Sequence, residues 1–223
     1  MDNRALRMLG LALVLLALGG CATESHQALA TAKPVSAGTP YAGPRGALMV
    51  GKFDNRSAYM RGLFSDGVDR LGGQAKTILL GHLKETGRFT VVDRDNMDEI
   101  AREAKIQGRA QTLKGADFTL TGDVTEFGRK ETGDEQLFGI LGRGRKQVAY
   151  SKFALNVVDV TTSRIVYASQ GAGEYELGSR EVLGTGGTQS YDSTLNGKVL
   201  NLSITDAVNT MVAALESGEL RVQ

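Results

Sequence analysis

The chain has 223 residues, with 26 basic and 25 acidic side chains for a net charge of +1, 29 glycines, one cysteine and no tryptophan. The balanced charge gives no support to a nucleic-acid role, which would need a basic stripe, and a single cysteine excludes an intrachain disulfide framework. A chain of this length can build one sizeable core with appendages.

Arg4 and Arg7 precede the apolar run Leu9 to Leu18, which ends in Leu18-Gly19-Gly20-Cys21. A basic start, a short apolar stretch and small residues form a secretory signal, because a bilayer-spanning helix takes roughly 20 apolar residues. Residues 1–20 are expected to be removed, leaving 24 basic and 24 acidic residues. The run before Cys21 has the form of a bacterial lipobox, which predicts a lipid on that sulfur and an acyl chain of the palmitate type on the new amine. No other cofactor is expected. Acyl chains at about 0.8 kcal/mol per buried CH₂ hold a protein on a membrane for good. Ala22 stands where an inner-membrane retention aspartate would, so the expected location is the outer membrane, with the main domain in the periplasm. Residues 21–44 then carry Ser, Thr, Ala and all three prolines without an apolar period, which reads as the lipidated cysteine and a flexible tether.

The folded domain is expected over residues 45–223. Ala47 to Phe53 reads as a strand, and Gln74 to Glu85 as a helix with Ala75, Ile78, Leu79 and Leu83 on one face. Between them Asp54 to Gly73 forms a long polar loop, a length that is usually functional. Phe89, Val91 and Val92 make a short strand, and Met97, Ile100, Ala101 and Ala104 give the next helix an apolar face that should pack. Phe118, Leu120 and Val124 alternate with Thr119, Thr121 and Thr125 in a third strand, so Arg88 to Phe127 reads as a β-α-β unit. Lys146 to Val160 and Arg164 to Ser169 form a strand, turn and strand, and Leu200 to Leu215 a closing amphipathic helix. Residues 128–147 and 171–197 are left over as two inserts. The fold class is α/β, a mixed β-sheet with about three helices.

The run Gly87-Arg88-Phe89-Thr90-Val91-Val92-Asp93-Arg94, then Gly115-Ala116-Asp117-Phe118 and Thr121-Gly122-Asp123-Val124-Thr125-Glu126-Phe127, resembles the CsgG/HfaB family of curli-type secretion lipoproteins, in consistent order from about Leu48 to Leu215. The resemblance implies a homo-oligomeric ring that secretes or anchors a fibre subunit or adhesin, with a periplasmic accessory protein. It also implies that the two inserts are β-hairpins of a shared transmembrane barrel, and that the loop after the first strand narrows the pore. Tyr59, Phe64 and Asp66 are the candidate constriction residues; the alternative is that the loop's apolar side chains pin it to the sheet. Tyr175 and Leu177, and on the return Tyr191 and Leu195, are the candidate membrane-facing residues. Charges crowd both parities of the first insert, and lipid-facing charges cost roughly 2–4 kcal/mol each at mid-bilayer. The alternative reading is therefore a soluble, periplasm-facing lipoprotein that binds or regulates a cell-envelope complex, similar to the activators of penicillin-binding proteins.

Catalysis is not expected. His26 and His82 are the only histidines and lie far apart, so neither a triad nor a metal cluster can be built around them. Asp93, Asp95, Asp98 and Glu99 are explained by the positive end of a helix without a metal.

Overall fold

The computed structural model describes residues 31–59, 68–135, 143–180 and 195–222. Strands β1 (Ala47–Asn55), β2 (Thr90–Val92), β3 (Phe118–Glu135), β4 (Arg143–Asp159) and β5 (Ile165–Arg180) form one sheet in the order β2-β1-β3-β4-β5. β1 runs parallel to both β2 and β3, whereas β3-β4 and β4-β5 are antiparallel. The helices are α1 (Arg70–Thr86), α2 (Met97–Ile106) and α3 (Leu195–Ser217). The mixed sheet and three helices match expectation. The β-α-β unit differs in one respect, because β1 lies between its two strands.

One face of the sheet carries the core. Leu48, Val50 and Phe53 of β1, Leu120 and Val124 of β3, and Phe153, Leu155 and Val157 of β4 are buried there. Phe53 and Phe153 stack with ring centroids 5.3 Å apart. Leu71, Ala75, Leu79 and Leu83 of α1 and Leu200, Ile204, Val208 and Met211 of α3 complete the cluster. Asp69 sets the start of α1 four residues earlier than its apolar period suggests, since its carboxylate accepts the Gly72 amide at 2.8 Å and holds the N-cap. Gly87, at φ 65°, ends α1 in the left-handed conformation that glycine adopts without strain.

α2 departs from expectation: none of its residues is buried, and Ile100 and Ile106 are 40% and 74% exposed. Its stripe holds only Met97 and Ile100 as large side chains, and alanines contribute too little apolar area to hold a helix down. The helix is secured at its start instead. The Asp93 carboxylate accepts the Asp95 and Asn96 amides and the Asn96 side chain, and Lys76 of α1 pairs with Asp95 at 2.6 Å. These bonds hold the Asp93 carboxyl below the ordinary carboxylate range, the Asn96 side chain contributing most.

The stretch expected as a tether is bound from Ala32 onward. Asn201 of α3 donates to the Ala32 carbonyl at 3.0 Å, Val35 donates to Asn209 at 2.9 Å, and Lys33 pairs with Glu85 at 3.5 Å. The buried Arg88 guanidinium fastens the rest. Its Nη1 donates to the carbonyls of Ser36, Thr39 and Thr86, its Nε and Nη2 bond Glu216 at 2.9 and 2.7 Å, and Tyr41 stacks on it at 5.1 Å. Residues 31–44 are thus a strap laid across the helices. His82, buried at the same helix contact, meets Asn201 at 2.8 Å and Thr205 at 3.1 Å.

Candidate functional site

The last three strands run far past the rest of the sheet. β1 stops at Asn55, opposite Val124, but β3 continues paired with β4 to Glu135 and Arg143, and β4 with β5 to Gly144 and Arg180. Much of what the sequence suggested as separate inserts therefore continues the sheet strands. We refer to this three-stranded projection as the arm.

The arm meets the body around Asn196, in the first turn of α3. The Asn196 amide donates to the Tyr59 hydroxyl at 3.0 Å and accepts from Arg129 Nε of β3 at 2.8 Å. The Tyr59 ring packs on Phe127 with centroids 4.8 Å apart, and Asn55 donates to the Tyr59 carbonyl at 2.8 Å. Tyr59, a candidate constriction residue, thus pins the start of its loop to the sheet. Phe64 and Asp66 lie outside the described residues, as do Cys21 and Tyr191. The Thr121 to Phe127 motif takes on definite roles at the same junction. Gly122 leaves room for the Ala154 carbonyl and the Phe53 ring, and a Cβ there would lie only 2.0 Å from that oxygen. Asp123 holds Arg56 at 3.1 Å, and this hydrogen bond raises the Arg56 pKa.

α3 crosses β5 in backbone contact. A Cβ at Gly171 would fall 2.0 Å from the Ser203 carbonyl oxygen and 2.4 Å from the Ala207 nitrogen, and one at Gly173 2.8 Å from the Ser203 nitrogen. Asp206 of α3 accepts the Ala172 amide at 3.1 Å, covering part of the exposed β5 edge. Tyr167, partly desolvated beside α3, has its hydroxyl pKa raised chiefly by that burial. Of the candidate membrane-facing residues, Tyr175 is half-buried against the core, with Lys198 of α3 lying 5.2 Å from its ring centroid. Leu177 is paired with Gln147 on the arm. Leu195 is the first residue of α3 rather than part of a returning strand, because the helix begins five residues before its apolar period.

Register assigns the arm residues to two alternating sets. One contains the rungs Glu131-Gln147-Leu177, Gly133-Arg145-Ser179 and Glu135-Arg143. The other contains Lys130-Val148-Glu176, Thr132-Lys146-Gly178 and Asp134-Gly144-Arg180. Each set carries charges of both signs.

The sequence reading passed over Arg88, although it stands in a quoted motif; a buried guanidinium has no signature in a sequence that places arginines mostly at the surface. It also passed over Gly171 and Gly173, whose only signal is glycine within an alternating strand. Among the described residues no group of three or more His, Cys, Asp or Glu could hold a metal ion, and no helix is long and apolar enough to cross a membrane.

The family model for the curli production assembly/transport component CsgG matches residues 31–221. A protein of Neisseria meningitidis serogroup B, NMB1126/NMB1164, named as a proposed lipoprotein, is 57% identical over 208 residues, covering 93% of each chain. Among solved structures, a PelC dodecamer from Paraburkholderia phytofirmans is 14% identical with a TM-score of 0.34, over 78% of this chain and 91% of that one. The LpoB C-terminal domain from Escherichia coli is 16% identical with a TM-score of 0.31, over 63% of this chain and 86% of that one.

Proposed function

Because the chain belongs to the CsgG family, we propose that it is an outer-membrane lipoprotein, anchored through Cys21, whose domain works in the periplasm as a non-catalytic docking module for a cell-envelope complex. The observation that carries this reading is the arm's charge pattern. A transmembrane barrel wall turns one alternating set of residues to lipid. Here one set brings Glu131, Glu135, Arg143 and Arg145 to that wall, and the other brings Lys130, Asp134, Lys146, Glu176 and Arg180. At about 2–4 kcal/mol per arginine near the midplane, Arg143 and Arg145 alone would cost about 4–8 kcal/mol per copy, and the glutamates would add to it. An arm bathed in water on both sides avoids that cost.

The second reading is a ring of copies that secretes or anchors a fibre subunit or adhesin. It is favoured by the pairing of β3, β4 and β5 from the body to the end of the arm, interrupted by a register shift between Val124 and Glu126; this pairing offers neighbouring copies a sheet to extend. The test is the full lipidated chain, extracted in mild detergent, imaged by electron microscopy and added to planar bilayers. A compact particle without conductance supports the docking module; a ring with a membrane-embedded collar and discrete conductance overturns it in favour of the channel. Cys21→Ser should release the protein from the membrane fraction, and retention would refute the anchor. Deleting residues 171–197 is unsuitable as a control, since it removes Gly171, Gly173 and the first turn of α3.

A further inference from the structure

Where the arm leaves the body, the sheet surface remote from α3 holds a cleft of about 690 Å³, lined by Glu126, Lys130, Tyr150, Lys152, Ala172 and Glu174 among others. Its floor is Tyr150. Gly128 and Tyr150 are register partners, and the ring lies across the space that a side chain at Gly128 would fill, with Oη 2.5 Å from the position of such a Cβ. On the other side Tyr150 is paired with Glu174. Lys130 brings its ammonium to 5.7 Å from the ring centroid, and Lys152 and Glu126 close the lower rim as an ion pair at 2.8 Å.

We propose that this cleft binds a neutral carbohydrate. Two ammonium and two carboxylate groups surround one aromatic ring, so a polyanion or polycation gains no net attraction there. A sugar suits all of these groups at once. A pyranose would take the place of the exposed Lys130 ammonium over the ring and pack its apolar C–H face there, while its hydroxyls donate to the glutamates and accept from the lysines. The cleft has the size of an ordinary small-ligand site. Gly128 gives the ring its place on the sheet, which lowers the cost of ordering it on binding. The inference is independent of whether the domain docks on an envelope complex or forms a channel, because it concerns only the surface around Tyr150.

The test is calorimetric titration of the full mature chain, in a detergent without sugar headgroups, with the N-acetylglucosamine trimer and with maltotriose, heparin and polylysine serving as charged probes. Saturable binding of at least one trisaccharide is expected, with Tyr150→Ala weakening it about tenfold, which corresponds to the upper range for an aromatic packing contact. Tyr150→Phe should retain most of the affinity. Gly128→Ala, which keeps the tyrosine but displaces its ring, should lower it. The melting temperature of each variant separates loss of the site from loss of the fold. Absence of saturable trisaccharide binding overturns the proposal, as does affinity unchanged in Tyr150→Ala with its fold intact, or binding of the charged probes alone.

Discussion

Replacing Gly171 by alanine adds one methyl group at the tightest contact between α3 and the sheet. That methyl would lie 2.0 Å from the Ser203 carbonyl oxygen, 2.4 Å from the Ala207 nitrogen and 3.0 Å from its Cβ. Carbon atoms pack at about 3.5–4.0 Å, so α3 must retreat by more than about 1 Å, and a gap of that size forfeits a quarter to a half of each affected contact. The obstacle is backbone and cannot rotate aside. Leu200, Ile204 and Val208, all fully buried, flank the contact and would lose packing together. Overpacking typically costs 1–3 kcal/mol, and a backbone obstacle places this case near about 3 kcal/mol. For a domain of this size the melting temperature should fall by about 6–12 °C, read by circular dichroism during thermal and urea unfolding. Gly81→Ala is the matched control: Gly81 is exposed within α1 and a Cβ there meets nothing within 4 Å, so it should gain about 0.5–1 kcal/mol. A loss below about 0.5 kcal/mol for Gly171→Ala would refute backbone contact between α3 and β5.

Arg88→Met should cost about 2–3 kcal/mol, because it strands the buried carbonyls of Ser36 and Thr86 while Glu216, partly exposed, recovers its hydration. Chymotrypsin should then cut after Tyr41, whose ring stacks on the guanidinium, faster than in the parent chain; equal protection would show that the strap is held by other contacts. The Asp93 turn makes a prediction about pH. Its folded pKa lies below the unfolded one, so its contribution is present above the unfolded value and disappears as pH falls through the folded value. The protection factor of amides at the start of α2, that is, exchange relative to its intrinsic rate at each pH, should fall on acidification through that range, and Asp93→Asn should remove this dependence; a persistent acid response in the variant would assign it to another group.

The sequence revealed the elements best where apolar side chains are large and periodic. The stripe of α1 and the alternation from Phe118 to Val124 found their places because each buries bulky residues against a partner. The same reasoning failed for α2, since period reports amphipathicity and not the presence of a covering surface. It also ended β3 and β5 early, where polar residues replace the apolar alternation although the backbone pairing continues. Ladder hydrogen bonds do not depend on side-chain polarity, so the arm was invisible to a hydropathy argument. At the candidate site, the motif from Thr121 to Phe127 marked the right place through its glycine and its one aromatic, Phe127. Its alliance with Asn196, at a distance of about 70 residues in sequence, had no local signal. The strap was missed because its bonds come from Asn201, Asn209 and Arg88, none of which betrays its partner in composition.

The strap also sets a radius of action. If Cys21 carries the proposed lipid, eleven residue steps separate it from Ala32, the first residue bonded to the helices. At 3.3–3.6 Å per residue the chain between them can span at most about 40 Å. Had residues 31–44 been free as well, the leash would have more than doubled. On that reading, a partner must come within this distance of the membrane to be met. Lengthening the stretch between Cys21 and Thr31 would extend that reach without altering a single contact in the fold.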